Sequence, residues 1–100
     1  MKPVQISTNL LQSSQAAGGI LRLTLNDTDR RNALSEEMLA ALCDAFDRAG
    51  DNPHVRVIIL GAAGPVFCAG HDLKEMTTAR QNADRGRAYF TKILSQCSRV

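Results

Sequence analysis

Alternating hydrophobic and polar positions at the start of the chain predict two β-strands. Residues 3–10 predict the first strand, and the small and polar residues of 13–19 predict a turn after it. Residues 20–26 predict the second strand, because every other position is apolar. The apolar positions that share one face of this second strand are Leu21, Leu23 and Leu25. We therefore expect the two strands to form a hairpin.

The spacing of apolar residues then changes to steps of three and four, which predicts a helix that ends at Gly50. Ser35 can accept a hydrogen bond from a first-turn amide, and Glu36 and Glu37 favour the positive end of the helix dipole. The apolar stripe of this helix comprises Met38, Leu39, Leu42, Ala45, Phe46 and Ala49. The sequence therefore predicts an amphipathic helix with one buried face.

The run Val55–Leu60 predicts a strand that is apolar on both faces, which is typical of the middle of a parallel sheet. Strand, helix and strand in this order predict a β-α-β crossover. A short helix is predicted from Asp72 and a third over residues 83–100. The predicted buried face of the third helix comprises Phe90, Ile93, Leu94 and Cys97.

The third helix has no stop signal before Val100, and its buried face and the two-faced strand both need cover. We therefore expect residues 1–100 to be one incomplete α/β domain that continues beyond Val100, and the resemblance described below implies that its C-terminal half is absent. No internal repeat or low-complexity tract divides the chain further.

Composition excludes several classes of protein. The 44% hydrophobic and 22% charged residues are ordinary for a folded globular chain. A net charge of +2 with mixed signs does not indicate nucleic-acid or membrane binding. Residues 1–15 do not resemble a signal peptide, and Cys43, Cys68 and Cys97 form neither a disulfide framework nor a zinc motif. These features predict a protein of a reducing compartment, with no metal, in the cytoplasm.

The loop over residues 64–76 is the segment that can carry chemistry. It follows a buried strand and opens a helix, where ligands often bind in α/β folds. Small residues allow close approach to its backbone, and free amides before a helix can stabilise an oxyanion. The alternative is a plain connection in which Asp72 only caps the helix.

The run 67–76, Phe-Cys-Ala-Gly-His-Asp-Leu-Lys-Glu-Met, resembles the F-[CSA]-[AS]-G-x-D-[LI]-K-E motif of the crotonase superfamily, the enoyl-CoA hydratase/isomerase family. Residues 29–35 resemble its K-R-N-A-L-S turn, and the order and spacing of both motifs fit. The Gly-His-Asp-Leu-Lys-Glu form resembles a branch whose members often lack the hydratase glutamates. The resemblance implies a crotonase-like fold of ββα units wound into a spiral, of which this chain is the N-terminal portion.

The resemblance also implies an acyl-CoA thioester as ligand. The backbone N–H of His71 matches the first of two oxyanion donors, and Ala69 and Gly70 match the lining of the acyl-CoA channel. The positions implied for substrate binding are Arg30, Ala33, Ala69, Gly70, His71, Asp72, Leu73 and Lys74, the first two at the nucleotide end. No cofactor is implied beyond the coenzyme A of the substrate.

Each of these side chains also has a simpler interpretation. His71 can act as an acid or base because its ordinary pKa lies near neutrality, or it can contribute only its backbone. Cys68 can be a nucleophile, although a small packing residue is the preferred interpretation. Asp72 is interpreted mainly as a helix cap.

The implied activity is enoyl-CoA hydration or isomerisation in fatty acid metabolism, by a lyase or isomerase that stabilises a thioester enolate. The resemblance matches no position of this sequence to the second donor or to the two hydratase glutamates, so the chain alone is expected to be inactive. Assembly into homotrimers or hexamers is expected for a complete protein. The alternatives are a non-catalytic acyl-CoA-binding or interaction protein of the same fold, and an inactive fragment.

Overall fold

The computed structural model describes residues 9–100, and within this range the chain folds into a sheet with helices on it. The elements are β1 (Leu11–Ala16), β2 (Ile20–Leu25), a 3₁₀ turn (Thr28–Arg30), α1 (Glu36–Gly50), β3 (Val57–Ala62), α2 (Leu73–Ala79) and α3 (Arg87–Arg99). The sheet has the strand order β1-β2-β3. The α/β class predicted from the sequence is confirmed.

Strands β1 and β2 form the expected hairpin, but the first strand is shifted along the chain. They pair antiparallel, from Leu11 opposite Leu25 to Ala16 opposite Ile20. Residues 3–8 of the predicted strand lie outside the described residues, and the predicted turn is wrong over 13–16. Those polar residues form a strand because cross-strand pairing outweighs their local preference for turns.

The observed hairpin turn needs glycine at its second half. Gly19 has a φ of +79°, a backbone conformation that L side chains rarely adopt. A Cβ at this position would lie 2.6 Å from the carbonyl oxygen of His54. The turn thereby brings the start of β2 close to the segment that leads into β3.

Strands β2 and β3 are parallel, with Leu21 opposite Ile58, so the predicted β-α-β crossover through α1 is confirmed. Helix α1 begins as predicted, because Ser35 Oγ accepts a hydrogen bond from Met38 N at 3.1 Å. The buried core between sheet and helix comprises Leu11, Leu21, Leu23, Leu25, Met38, Leu42, Ala45 and Ala49. Each buried leucine contributes roughly 2 kcal/mol to folding.

Strand β3 lies at the edge of the three-stranded sheet, and the prediction of a central strand is wrong for the described residues. Ile58 and Leu60 pack against the core, whereas Val57 and Ile59 are 48% and 40% exposed. The hydrophobic run shows that both faces are apolar, but it does not specify what covers each face.

Helix α3 begins at Arg87, four residues later than predicted. The side chain of Asp84 holds the backbone at the start of this helix. The carboxylate of Asp84 accepts hydrogen bonds from Gly86 N at 2.9 Å and Ala88 N at 3.0 Å. The bonds from Ala88 and then Gly86 hold the pKa of Asp84 below its ordinary value.

Helix α3 packs against α1 through its predicted face, on which Phe90 and Cys97 are half-buried. Ile93 is fully buried, whereas Leu94, predicted on the same face, is 56% exposed. An Arg99–Asp47 ion pair also joins the two helices. All three cysteines are free, as predicted.

Candidate functional site

A cleft of about 880 Å³ opens where the loop after β3 leads into α2. Its walls come from the 3₁₀ turn, the loop, α2 and the start of α3. The predicted site residues that line it are Arg30, Ala33, Ala69, His71, Asp72, Leu73 and Lys74. Gly70 is the one predicted site residue that does not line the cleft. Its φ of +88° turns the chain between Ala69 and His71, which both line it. The structure brings the predicted residues together, while their roles stay predictions.

Two segments distant in sequence are joined by backbone hydrogen bonds beside this cleft. Leu34 N donates to Gly70 O at 2.7 Å, and Ala69 N donates to Arg31 O at 3.0 Å. Leu34 also pairs with His71 in a parallel bridge. The two motifs recognised in the sequence therefore lie against each other.

The backbone amide of His71 lies at this junction, beside the cleft. Leu34 is the residue of this bridge that forms the hydrogen bond, since its N–H donates to Gly70 O, and so the N–H of His71 points away from Leu34. Among residues 9–100 this amide has no hydrogen-bond partner. The ring Nδ1 of His71 is buried and also has no partner there.

Asp72 acts as the predicted helix cap. It is 8% exposed, and its Oδ1 accepts hydrogen bonds from Lys74 N at 3.0 Å and Glu75 N at 3.1 Å. Its other oxygen lies 3.8 Å from the guanidinium of Arg30, which is largely exposed. Because Asp72 follows His71 directly, the cap fixes the chain on one side of the free amide.

Asn32 holds the 3₁₀ turn against the loop, a role that was not predicted from the sequence. Its Nδ2 donates to the carbonyls of Ala63 and Val66, both at 2.9 Å, and its Oδ1 accepts from Asp27 N at 2.7 Å. The side chain is fully buried, and the residue has a φ of +55°. Asparagine tolerates this conformation better than most residues, which is the one signal in the sequence that indicates this role.

A second set of contacts that was not predicted from the sequence joins α1, α2 and α3 at the wall of the cleft. Glu75 Oε1 accepts hydrogen bonds from Glu36 N at 3.0 Å and from the hydroxyl of Tyr89 at 3.2 Å. Lys92 pairs with the carboxylate of Glu36 at 3.3 Å. Burial, followed by the hydrogen bond and charge of Glu75, raises the pKa of Tyr89 to about 12, so this phenol is neutral at pH 7.

The remaining features of the loop concern packing. Cys68 is half-buried, and its Sγ accepts a hydrogen bond from Gly70 N at 3.4 Å, which supports its interpretation as a packing residue. Phe67 and Leu73 are 57% and 75% exposed around the loop. Within residues 9–100, no group of three or more His, Cys, Asp or Glu side chains is arranged to hold a metal ion. No helix in that range has both the length and the apolarity to cross a membrane.

Comparison with known proteins gives a consistent family assignment. A family model described as enoyl-CoA hydratase/isomerase matches residues 15–98. The rat enoyl-CoA hydratase domain-containing protein 3, mitochondrial, is 41% identical over 90 residues, which are 90% of this chain and 28% of that protein. The chain therefore spans about a quarter of the length of this relative.

Solved structures agree with the fold. The crystal structure of human enoyl coenzyme A hydratase domain-containing protein 3 matches with a TM-score of 0.74 and 33% identity, covering 90% of this chain and 33% of that one. An enoyl-CoA hydratase from Mycobacterium smegmatis matches with a TM-score of 0.78 and 41% identity, covering 92% and 34%. These likenesses confirm the crotonase-like fold.

The predicted cytoplasmic location is contradicted by these comparisons. Curated relatives from rat, zebrafish and human are all named as mitochondrial proteins. The prediction was wrong because free thiols indicate reducing conditions and do not specify which compartment provides them.

Proposed function

The chain belongs to the enoyl-CoA hydratase/isomerase family, and from this premise we propose that its cleft binds an acyl-CoA thioester. The N–H of His71 donates a hydrogen bond to the thioester carbonyl oxygen. As an enolate forms, negative charge develops on that oxygen, and a donor fixed in advance stabilises the charge. The parent reaction is hydration or isomerisation of an enoyl-CoA.

The single observation that carries this proposal is the unpaired amide of His71 beside a cleft. Buried backbone amides are nearly always paired with protein groups or water, so an amide that no described protein group satisfies, at the rim of a cleft, is accessible to a ligand or to solvent. The bridge to Leu34 and the cap by Asp72 fix it from both sides. A fixed donor needs little reorganisation when charge develops, which is what oxyanion stabilisation requires.

The charges at the outer part of the cleft suit the phosphates of coenzyme A. Arg30, Arg31 and Lys74 line it and are exposed. Guanidinium groups bind phosphate through paired hydrogen bonds, and exposure leaves them free to reorient. The implied nucleotide end at Arg30 and Ala33 is therefore part of this proposal.

A non-catalytic acyl-CoA-binding role is the second candidate, and the state of the cleft carboxylates favours it. Glu75 already accepts two hydrogen bonds, and Glu36 already pairs with Lys92. These contacts give both carboxylates a structural role in joining the helices. Loss of one oxyanion donor typically costs about 100- to 1000-fold in turnover, so the chain alone is expected to bind its ligand with little or no hydration.

Calorimetry tests the binding proposal with three ligands: butyryl-CoA, S-butyl-CoA, which lacks the carbonyl, and free CoA. We expect butyryl-CoA to bind about tenfold more tightly than S-butyl-CoA, the effect of about one hydrogen bond. Equal affinities for these two ligands would contradict a donor to the carbonyl. A crotonyl-CoA hydration assay on a longer protein that contains this sequence separates the catalytic candidate from the non-catalytic one.

Self-association belongs to the same proposal. The resemblance implies trimers or hexamers for a complete protein, and light scattering after size-exclusion chromatography measures the state directly. A mass equal to that of one chain at all concentrations, measured on a longer protein that contains this sequence, would contradict the proposal.

A further inference from the structure

We propose that Glu75 is a positioning residue that fixes the His71 amide in its donor orientation, and this inference rests on the proposed donor role of that amide. Glu75 does not touch the thioester in this proposal. It acts by closing a ring of hydrogen bonds around His71, the residue whose amide donates to the thioester.

The first contact of this ring is the bridge between Leu34 and His71, where Leu34 N donates to Gly70 O at 2.7 Å. Two residues after Leu34, the amide of Glu36 donates to Glu75 Oε1 at 3.0 Å. Glu75 N in turn donates to Asp72 Oδ1 at 3.1 Å, and Asp72 follows His71. The donor amide therefore lies within a closed ring that joins the N-termini of α1 and α2.

The carboxylate is suited to this position. Glu36 is the first residue of α1, so its amide has no partner within the helix. A negative charge near that end is also favoured by the helix dipole. Glu75 thus ties the start of α1 to α2, which sets the distance between the Leu34 segment and the loop that carries His71.

Tyr89 connects α3 to the same oxygen. Its hydroxyl donates to Glu75 Oε1 at 3.2 Å, and the hydroxyl keeps its proton at neutral pH. With two donors on one oxygen, the Glu75 side chain has one preferred orientation. Removal of the Tyr89 hydroxyl should therefore loosen the ring without opening it, because the bond from Glu36 N remains.

The test measures how strongly the thioester carbonyl is polarised. Isotope-edited infrared spectroscopy of bound butyryl-CoA, labelled with ¹³C at the carbonyl, reports this directly, because a stronger hydrogen bond lowers the C=O stretching frequency. The variants are Glu75→Ala, Glu75→Gln and Tyr89→Phe, with Glu37→Ala as the matched control, since Glu37 is exposed and does not line the cleft. Affinities for butyryl-CoA and for free CoA are measured on each.

We expect Glu75→Ala to lose most of the frequency lowering and to bind butyryl-CoA about tenfold more weakly, with its affinity for free CoA unchanged. Glu75→Gln should retain most of the lowering, since its amide oxygen can accept both hydrogen bonds. Tyr89→Phe should show a partial loss, and Glu37→Ala should match the unaltered chain. A purely structural role would weaken both ligands equally through a smaller folded fraction.

Full retention of the carbonyl shift in Glu75→Ala would overturn the inference. If that variant does not fold, Tyr89→Phe decides, and an unchanged carbonyl frequency in it would overturn the inference as well. Failure of the proposed function is distinguishable, because the unaltered chain would then show no lowering at all relative to butyryl-CoA in water.

Discussion

Replacement of Asn32 by alanine should be among the most destabilising single changes at this site. The substitution removes three hydrogen bonds, from Nδ2 to Ala63 O and Val66 O and from Asp27 N to Oδ1. Each leaves a half-buried backbone group unpaired, at a net cost of about 1 kcal/mol. Alanine at a φ of +55° adds about 1 kcal/mol.

The expected loss in the free energy of unfolding is therefore about 4 kcal/mol, out of about 5–15 kcal/mol for a chain of this length. Urea unfolding followed by circular dichroism measures it. Asn82→Ala is the matched control, because Asn82 is exposed, and we expect it to change stability by less than about 0.5 kcal/mol. Asn32→Gly should recover about 1 kcal/mol relative to Asn32→Ala, because glycine adopts positive φ without strain.

A loss below about 1 kcal/mol in Asn32→Ala would refute this reasoning, because it would mean that the freed backbone groups find other partners or water. A loss equal to that of Asn82→Ala would do the same. An equal loss of stability in the alanine and glycine variants would refute only the cost assigned to alanine at a positive φ.

Further predictions follow from single contacts. Ser35→Ala removes the cap on Met38 N and should lower the free energy of unfolding by about 1 kcal/mol, measured by the same urea assay. Gly70→Ala meets no atom within 4 Å, so its cost should be that of the positive φ alone, about 1–2 kcal/mol, and a larger loss would indicate a clash. Tyr89 is the one tyrosine of the sequence, so ultraviolet absorbance reports its titration, with an expected midpoint of about 12 in the folded chain, and a midpoint of 10 would contradict its contact with Glu75. Because the pKa of Tyr89 is raised on folding, stability should fall as the pH rises from 10 towards 12.

The sequence was sufficient to predict the features that depend on local chemistry. Ser35 and Asp72 were identified as caps because hydroxyl and carboxylate groups at those positions pair with first-turn amides. The alternation of Leu21, Leu23 and Leu25 gave the correct buried face of β2. Periodicity and capping act within a few residues, so a linear pattern contains them.

Features that depend on contacts between distant segments could not be read in the same way. Ser13 and Ser14 are typical of a turn, yet they form a strand because β2 pairs with them. Glu75 matched only a motif position in the sequence, and its contacts with Glu36 and Tyr89 depend on how three helices pack. A single sequence does not show which side chains meet across the fold.

The most direct test of the account follows the amide of His71 by ¹H–¹⁵N NMR while ligand is added. We predict a large downfield proton shift for this amide with butyryl-CoA, and only a small shift with S-butyl-CoA, which binds without a carbonyl. If the His71 resonance responds equally to both ligands, or to neither, the thioester carbonyl does not meet this amide and the central claim is wrong.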